Sequence, residues 1–310
     1  MANFNRVVLV AAKTRLEELK ERNAGSLAAA EFAIRQSGQD LKSYQAEQAG
    51  WDSIRSTVGR KLPRGLPLIE IQRDELPRFL FDSRDLVIAV GPDGLFVNVA
   101  KYVHGQPILT LNPSPATIDG VLMRFAGEQV SAALNAMFND AYQVEEVTLA
   151  EACIADQQPI LGVNEIVIGR CDPQAANYTL KYKGREERQR ATRLLITTGC
   201  GSTGWARSIV AGAQALVADG YPQVNLPFAR TDKHLIYLAC EPFVSQSTGA
   251  SLAFGKLADG ETLEVVSDMA LGGAIYSDGM WRDARDFPTG AKVTIQRSKK
   301  TARRVTNIKA

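Results

Sequence analysis

Residues Asp85-Leu86-Val87-Ile88-Ala89-Val90-Gly91-Pro92-Asp93-Gly94 decide the fold. The run from Leu86 to Val90 is apolar without alternation, as expected of a parallel strand covered on both faces rather than one with a wet side. Gly91-Pro92-Asp93-Gly94 stops it, and a helical pattern follows through Val103. Pro107-Ile108-Leu109-Thr110-Leu111 reads as the next strand, and strand, helix, strand at this spacing is a βαβ unit. Upstream, Arg6 to Ala12 is a compact β-branched run with the look of a buried strand, and Leu68-Ile69-Glu70-Ile71 of a short one. Between them, apolar residues recur at helical spacing from Thr14 to about Gln36 (Leu16, Leu19, Leu27, Phe32, Ile34), ended by Gly38. Residues 40–66, with Gly59, Pro63 and Gly65, read as a loop running into Pro67. Residues 1–125 are therefore expected to form an open α/β sheet.

The texture then changes. After an Ala-rich helix near Gly127–Ala141, strands are expected at Glu145–Leu149, Glu165–Gly169, Tyr178–Tyr182 and Arg193–Thr197, then at Leu235–Ala239, Thr262–Val266, Gly273–Tyr276 and Lys292–Gln296. Short strands broken by turns such as Lys183-Gly184 suggest a β-rich second domain over 126–295. Residues 296–310 are basic and read as a solvated tail.

Composition narrows the function classes. Of 310 residues, 45% are hydrophobic and 23% charged, the balance of a globular chain rather than a disordered one. Lys plus Arg number 36 against 34 acidic residues, so bulk charge does not point to a nucleic-acid partner. No apolar run is long enough for a membrane-spanning helix. Val7 to Ala12 is too short for a secretory signal, so the cytoplasm is expected. Cys153, Cys171, Cys200 and Cys240 form no CxxC pair, which disfavours a disulfide framework or zinc ribbon. His104 and His234 lie far apart, with no second ligand type at metal spacing, so no metal residues are assigned.

Four segments are suited to chemistry. Gly91-Pro92-Asp93-Gly94 sits at the carboxyl end of a buried strand, where open α/β sheets bind ligands. Asp93 there reads either as a helix cap or as a site carboxylate at a helix end that favours anions. Thr198-Gly199-Cys200-Gly201-Ser202-Thr203-Gly204-Trp205 follows the strand Arg193–Thr197 and opens a helix expected to reach about Ala218. Gly199, Gly201 and Gly204 match G-x-G-x-x-G, but the nearest acid, Asp219, lies in Asp219-Gly220-Tyr221-Pro222, which reads as a turn rather than a strand end. The loop's N–H and hydroxyl donors suit a nucleotide, and Cys200 reads as a packing residue rather than a nucleophile. Asn164-Glu165 heads a strand and offers an amide and a carboxylate for ribose hydroxyls or an exocyclic amine. Asn112 to Gly120 forms a proline-rich loop on the same sheet edge as Asp93. A phosphate-binding G-x-x-x-x-G-K-[ST] is absent.

In order and spacing, these segments resemble the NAD kinase family. Its GGDG motif corresponds to Gly91-Pro92-Asp93-Gly94, its Asn-Glu segment to Asn164-Glu165, and its TPTGSTAY-type loop to Thr198–Trp205. The loop spelling, with Trp205, and the Asn112-Pro113-Ser114-Pro115…Gly120 stretch look most like the branch containing the mitochondrial NAD kinases. Pro92 stands where the motif has its second glycine, and Leu95 where Thr is usual. The resemblance implies an N-terminal Rossmann-like α/β domain and a C-terminal β-rich, sandwich-like domain, with the active site in the cleft between them. It implies transfer of the γ-phosphoryl of ATP to the adenosine-ribose 2′-hydroxyl of NAD, giving NADP, with Mg²⁺ accompanying ATP and a homo-oligomeric protein. Asp93 would be the general base. Gly91, Gly94, Asn112, Gly120, Asn164, Glu165, Thr198, Gly199, Gly201, Ser202, Thr203, Trp205 and Ser208 would line the nucleotide sites. A non-catalytic dinucleotide binder of the same fold, or a kinase of the same fold with another acceptor, would share these motifs.

Overall fold

A computed structural model describes residues 4–155, 157–216, 224 and 226–309. The chain forms two compact units, Met1–Glu145 with Arg303–Ala310, and Glu146–Ala302.

The first unit is built on a parallel sheet. Its strands are β1 (Arg6–Ala11), β2 (Leu68–Gln72), β3 (Asp85–Val90) and β4 (Pro107–Asn112), in the order β2-β1-β3-β4. All three pairings are parallel. Every residue of β3 and of β4 is buried, as the unbroken apolar runs require. The short β5 (Phe125–Ala126) adds beside the end of β4.

The helices depart from expectation in two places. Thr14–Gln36 is not one helix but two, α1 (Arg15–Arg22) and α2 (Leu27–Gln36), broken where Ala24 and Gly25 take positive φ. Each helix has its own start signal. Thr14 and Glu17 make a reciprocal capping box, and the Ser26 hydroxyl accepts from the Ala29 N–H at 3.2 Å. Residues 40–66 are not a loop either. They hold α3 (Leu41–Lys61), 21 residues capped by Asp40. Its Tyr44, Trp51, Ile54 and Val58 recur at helical spacing and are buried, Trp51, Ile54 and Val58 in the core of this unit. Their burial outweighs the roughly 1 kcal/mol that Gly59 costs a helix, and Pro63 falls beyond the last turn. Two further helices complete the unit, α4 (Asp93–Ala100) and α5 (Val130–Phe138).

The second unit is a sandwich of antiparallel strands. One sheet has the order β13-β12-β11-β8-β15-β16. It comprises β8 (Glu165–Arg170), β11 (Arg193–Thr197), β12 (Leu235–Cys240), β13 (Phe254–Leu257), β15 (Gly273–Ser277) and β16 (Met280–Asp286). The other contains β9 (Ala176–Tyr182), β10 (Arg185–Ala191), β14 (Leu263–Ser267), β17 (Lys292–Ile308), β6 (Tyr142–Ile154) and β7 (Ile160–Gly162). Period-two alternation shows in β11: Leu194 and Ile196 join Tyr178, Leu180 and Tyr237 in the core between the sheets. Leu195 faces the opposite way, under α6 (Trp205–Ala215), with Val167 and Leu238. Residues 217–223, which include the expected helix end and Asp219 to Pro222, lie outside the described residues.

The basic tail is a strand, not a solvated end. β17 runs to Ile308, and Arg303 and Arg304 pair in parallel with Pro107 and Ile108 of β4. Ala302 and Val305 are fully buried, while the exposed lysines between the buried positions conceal that alternation in the sequence. Among the described residues, no helix is long and apolar enough to cross a membrane.

Candidate active site

In the first unit, the sheet order reverses direction between β1 and β3, and open α/β sheets bind ligands outside the strand ends at such a point. A cavity of about 320 Å³ lies there, lined by Ala12 and Lys13 after β1, Gln72 and Arg73 after β2, and Pro92 after β3. Its charges are mixed. Lys13, Arg22 and Arg73 face Glu18, Glu21 and Asp74, and Lys13 is tied to Glu21 at 2.7 Å. The sequence reading missed these residues, because only the strand order brings them together.

Asp93 opens α4 but does not cap it. Pro92 holds the cap position with φ −76° and ψ 167°, a relaxed proline conformation. The Asp93 carboxylate instead gathers a distant loop: Oδ1 accepts the N–H groups of Leu122 and Met123 at 2.9 and 3.1 Å, and Oδ2 that of Val121 at 3.1 Å. The capping reading of Asp93 is thereby overturned. A carboxylate offers about four lone-pair positions, and three are used. The same loop is held from its other side, since Arg304 donates to the carbonyls of Val121 and Leu122 at 3.1 and 3.2 Å and to Glu145 at 2.8 Å.

Asn112 and Gly120 are brought together in this loop. Asn112 accepts from the Ser114 N–H at 2.9 Å and donates to the Ile118 carbonyl at 3.0 Å, while Gly120 packs against its amide. Gly91 ends β3 against Ala12, and Gly94 lies exposed in the first turn of α4.

In the second unit, Asn164-Glu165 and the Thr198–Trp205 loop come together. The Asn164 carbonyl accepts from the Thr198 N–H at 2.9 Å and the Thr197 hydroxyl at 3.2 Å. A side chain on Gly201 would overlap that carbonyl, and one on Gly199 would overlap the backbone of Ala229. Both glycines therefore allow close packing of the loop on its own unit. The hydroxyls of Thr198 and Ser202 are likewise spent. Both residues are fully buried; Thr198 donates to the Val163 carbonyl, and Ser202 donates to the Gly199 carbonyl at 2.7 Å while accepting from the Phe228 N–H. These groups build the loop, so the expectation of a loop rich in exposed hydroxyl donors fails for them. Thr203, Trp205 and Ser208 do stand exposed on it.

Glu165 is half-buried at the head of β8. Burial, and then the nearby charge of Asp278, push its carboxyl up to about 8. Asp278 was missed, although Asp278-Gly279 between two strand-like runs is a hairpin-turn signal. Cys200 is buried, in keeping with a packing role, and the four cysteines form no disulfide. His234 stacks on Phe228 with ring centres 4.3 Å apart, and burial lowers its pKa. Among the described residues, no three His, Cys, Asp or Glu are grouped to hold a metal.

No family model matches the chain. It is 31% identical over 124 residues to an NAD kinase of Saccharolobus solfataricus, covering 40% of this chain and 47% of that protein. It is 26% identical over 157 residues to one of Methanothermobacter thermautotrophicus, covering 50% and 54%. The matches thus span about half the length of these relatives. An NAD kinase of Bifidobacterium longum subsp. infantis is 25% identical over 267 residues, covering 81% and 72%. Two solved structures share the fold. An NAD kinase from Archaeoglobus fulgidus in complex with ATP matches with TM-score 0.54 and 19% identity, covering 96% of this chain and 92% of that one. Yeast NADH kinase complexed with NADH matches with TM-score 0.59 and 15% identity, covering 98% and 84%. By sequence similarity and by fold, the family that this chain resembles is that of the NAD kinases.

Proposed function

We propose that this protein is an NAD kinase, transferring the γ-phosphoryl of ATP to the 2′-hydroxyl of the adenosine ribose of NAD. The observation that carries this is the Asp93 carboxylate, fixed by three backbone N–H groups at the carboxyl edge of a parallel sheet whose fold is that of NAD and NADH kinases. Its remaining lone-pair position accepts the ribose hydroxyl proton, which a hydroxyl must lose to attack phosphorus at neutral pH. Pro92 in a relaxed conformation leaves this carboxylate in place, which favours a working enzyme over a non-catalytic binder. On this proposal the donor phosphates lie in the cavity at the ends of β1 and β2, beside the N-terminus of α4, where Lys13, Arg22 and Arg73 would have to exchange their acidic neighbours Glu18, Glu21 and Asp74 for phosphate. Asn164 and Glu165 hold the dinucleotide, with the exposed Thr203, Trp205 and Ser208 completing the contact.

Among the described residues no acidic ligands are grouped, and on this proposal Mg²⁺ comes with the ATP phosphates and neutralises their charge. The spelling of Thr198–Trp205 and of Asn112–Gly120 supports, within this proposal, kinship with the branch that contains the mitochondrial NAD kinases. The test is incubation with ATP, Mg²⁺ and either NAD or NADH, with NADP or NADPH detected by specific dehydrogenases. Absence of both products, in a protein that is folded, would overturn the proposal.

A further inference from the structure

Asp278 and Gly279 form the two-residue turn between β15 and β16, with φ of 53° and 66°, the tight hairpin geometry that Asp-Gly favours. Hairpin tips are usually wet, yet Asp278 is 6% exposed. The cause is register: β15 pairs antiparallel with β8, Ser277 opposite Ile166, which delivers the Asp278 carboxylate to the start of β8. There Oδ1 accepts the N–H groups of Val163, Asn164 and Glu165 at 3.1, 2.7 and 3.1 Å, and Oδ2 takes a second contact from Val163 at 2.9 Å. The Asp278 N–H donates back to the Glu165 carbonyl at 3.2 Å. On the other side, Thr197 and Thr198 hold the carbonyls of Val163 and Asn164. The backbone of this segment is thus gripped from both neighbours in the sheet.

We propose that Asp278 is a positioning residue for dinucleotide binding, fixing the Asn164-Glu165 pair through their backbone N–H groups, a role that rests on the dinucleotide reading of this site. Its charge has a second effect. Glu165 is raised to about 8 by burial and by Asp278, whereas its neighbour across β11 is the neutral Thr197. At neutral pH Glu165 is therefore largely protonated, a form that can donate a hydrogen bond as well as accept one. A neutral carboxyl also adds no repulsion to a ligand that brings two phosphate charges of its own.

The experiment titrates NAD alone into the full chain by calorimetry from pH 6 to 9. Wild type should bind with constant affinity up to about pH 8 and then weaken, approaching tenfold per pH unit where only the protonated form binds. Asp278→Asn keeps an acceptor oxygen but loses the charge, so the pH of weakening should move down. Asp278→Ala loses both and should bind NAD about tenfold or more weakly at every pH, as expected for a lost charge-assisted bond. Glu165→Gln should abolish the pH dependence. Coincident profiles for wild type and Asp278→Asn, or Asp278→Ala binding within twofold of wild type, would overturn the proposal. Where Asp278→Ala does not fold, the Glu165 carboxyl ¹³C titration in wild type and Asp278→Asn decides, an unmoved midpoint overturning it. Wild type that binds NAD with this profile but forms no NADP would defeat the kinase reading and leave Asp278 its role. Wild type that does not bind NAD would overturn both.

Discussion

Asp93→Asn separates the proposed chemistry of this carboxylate from its part in holding the loop. In the wild type, Oδ1 serves Leu122 and Met123 and Oδ2 serves Val121. An asparagine can keep its oxygen toward the first two donors, which turns its amide nitrogen to Val121. One N–H then faces another, but Val121 is 59% exposed and water can take the orphaned donor. The structural cost should sit near the low end for a lost hydrogen bond, about 1 kcal/mol, which for a unit of this size lowers Tm by about 2–4 °C. The chemical cost is larger, because the amide cannot take up the ribose proton. Loss of a general base lowers the rate by about 10²–10⁴. The assay is NADP formation under saturating ATP, Mg²⁺ and NAD, with a thermal melt and an NAD titration on the same preparation. A folded variant with kcat within a few-fold of wild type would remove Asp93 as the base. A melt lowered by far more than a few degrees, with NAD binding lost, would show that the carboxylate mainly builds the loop.

Because Pro92 holds a relaxed φ, Pro92→Gly should leave kcat similar and lose about 0.4–1 kcal/mol of stability through a freer unfolded chain; a large gain in kcat would contradict this. Gly201→Ala should destabilise by about 1–3 kcal/mol, since the new methyl meets the Asn164 carbonyl, and an unchanged melt would show that the loop can shift. Ile54→Ala, in the middle of α3 and 1% exposed, should cost about 2–5 kcal/mol in urea unfolding, whereas a loop residue would cost almost nothing. Glu165→Gln should raise Tm at pH 8, with the gain shrinking toward pH 5. The folded state binds this proton more tightly than the unfolded chain, so wild-type stability falls as pH rises from the ordinary carboxylate range to about 8. A wild-type melt independent of pH over that window would contradict the assignment.

The βαβ core was legible because its strands are unbroken apolar runs, a pattern with few other uses. The helix α3 was not, because Gly59, Pro63 and Gly65 drew more weight than the spacing of Trp51, Ile54 and Val58. The end of β17 was hidden by the exposed Lys299 and Lys300 and by Arg304, a charge that the fold buries. At the candidate site, the motifs marked segments that the structure draws together within each unit, but residue type could not tell an open donor from one consumed by its own backbone. Thr198, Ser202, Gly199 and Gly201 are of the second kind. The partners Asp278 and Arg304 lie more than a hundred residues from what they hold, and strand pairing alone brings them there.

The closing strand of the first unit has a consequence for how the molecule assembles. That unit is discontinuous: Arg304 grips Glu145 at a sequence separation of 159 and the Leu122 carbonyl at one of 182. The whole second unit, Glu146–Ala302, is an insertion between them. During synthesis, the second unit has its full complement of strands before Arg303 to Ile308 have left the ribosome. The loop that feeds Asp93 its three N–H groups must wait for those last residues. A chain truncated after Ala302 should therefore still bury Tyr178 and Tyr237 in the second core but protect the Val121, Leu122 and Met123 amides less. A domain joined directly after β17 would load the strand whose Arg304 holds the loop around Val121 and Leu122.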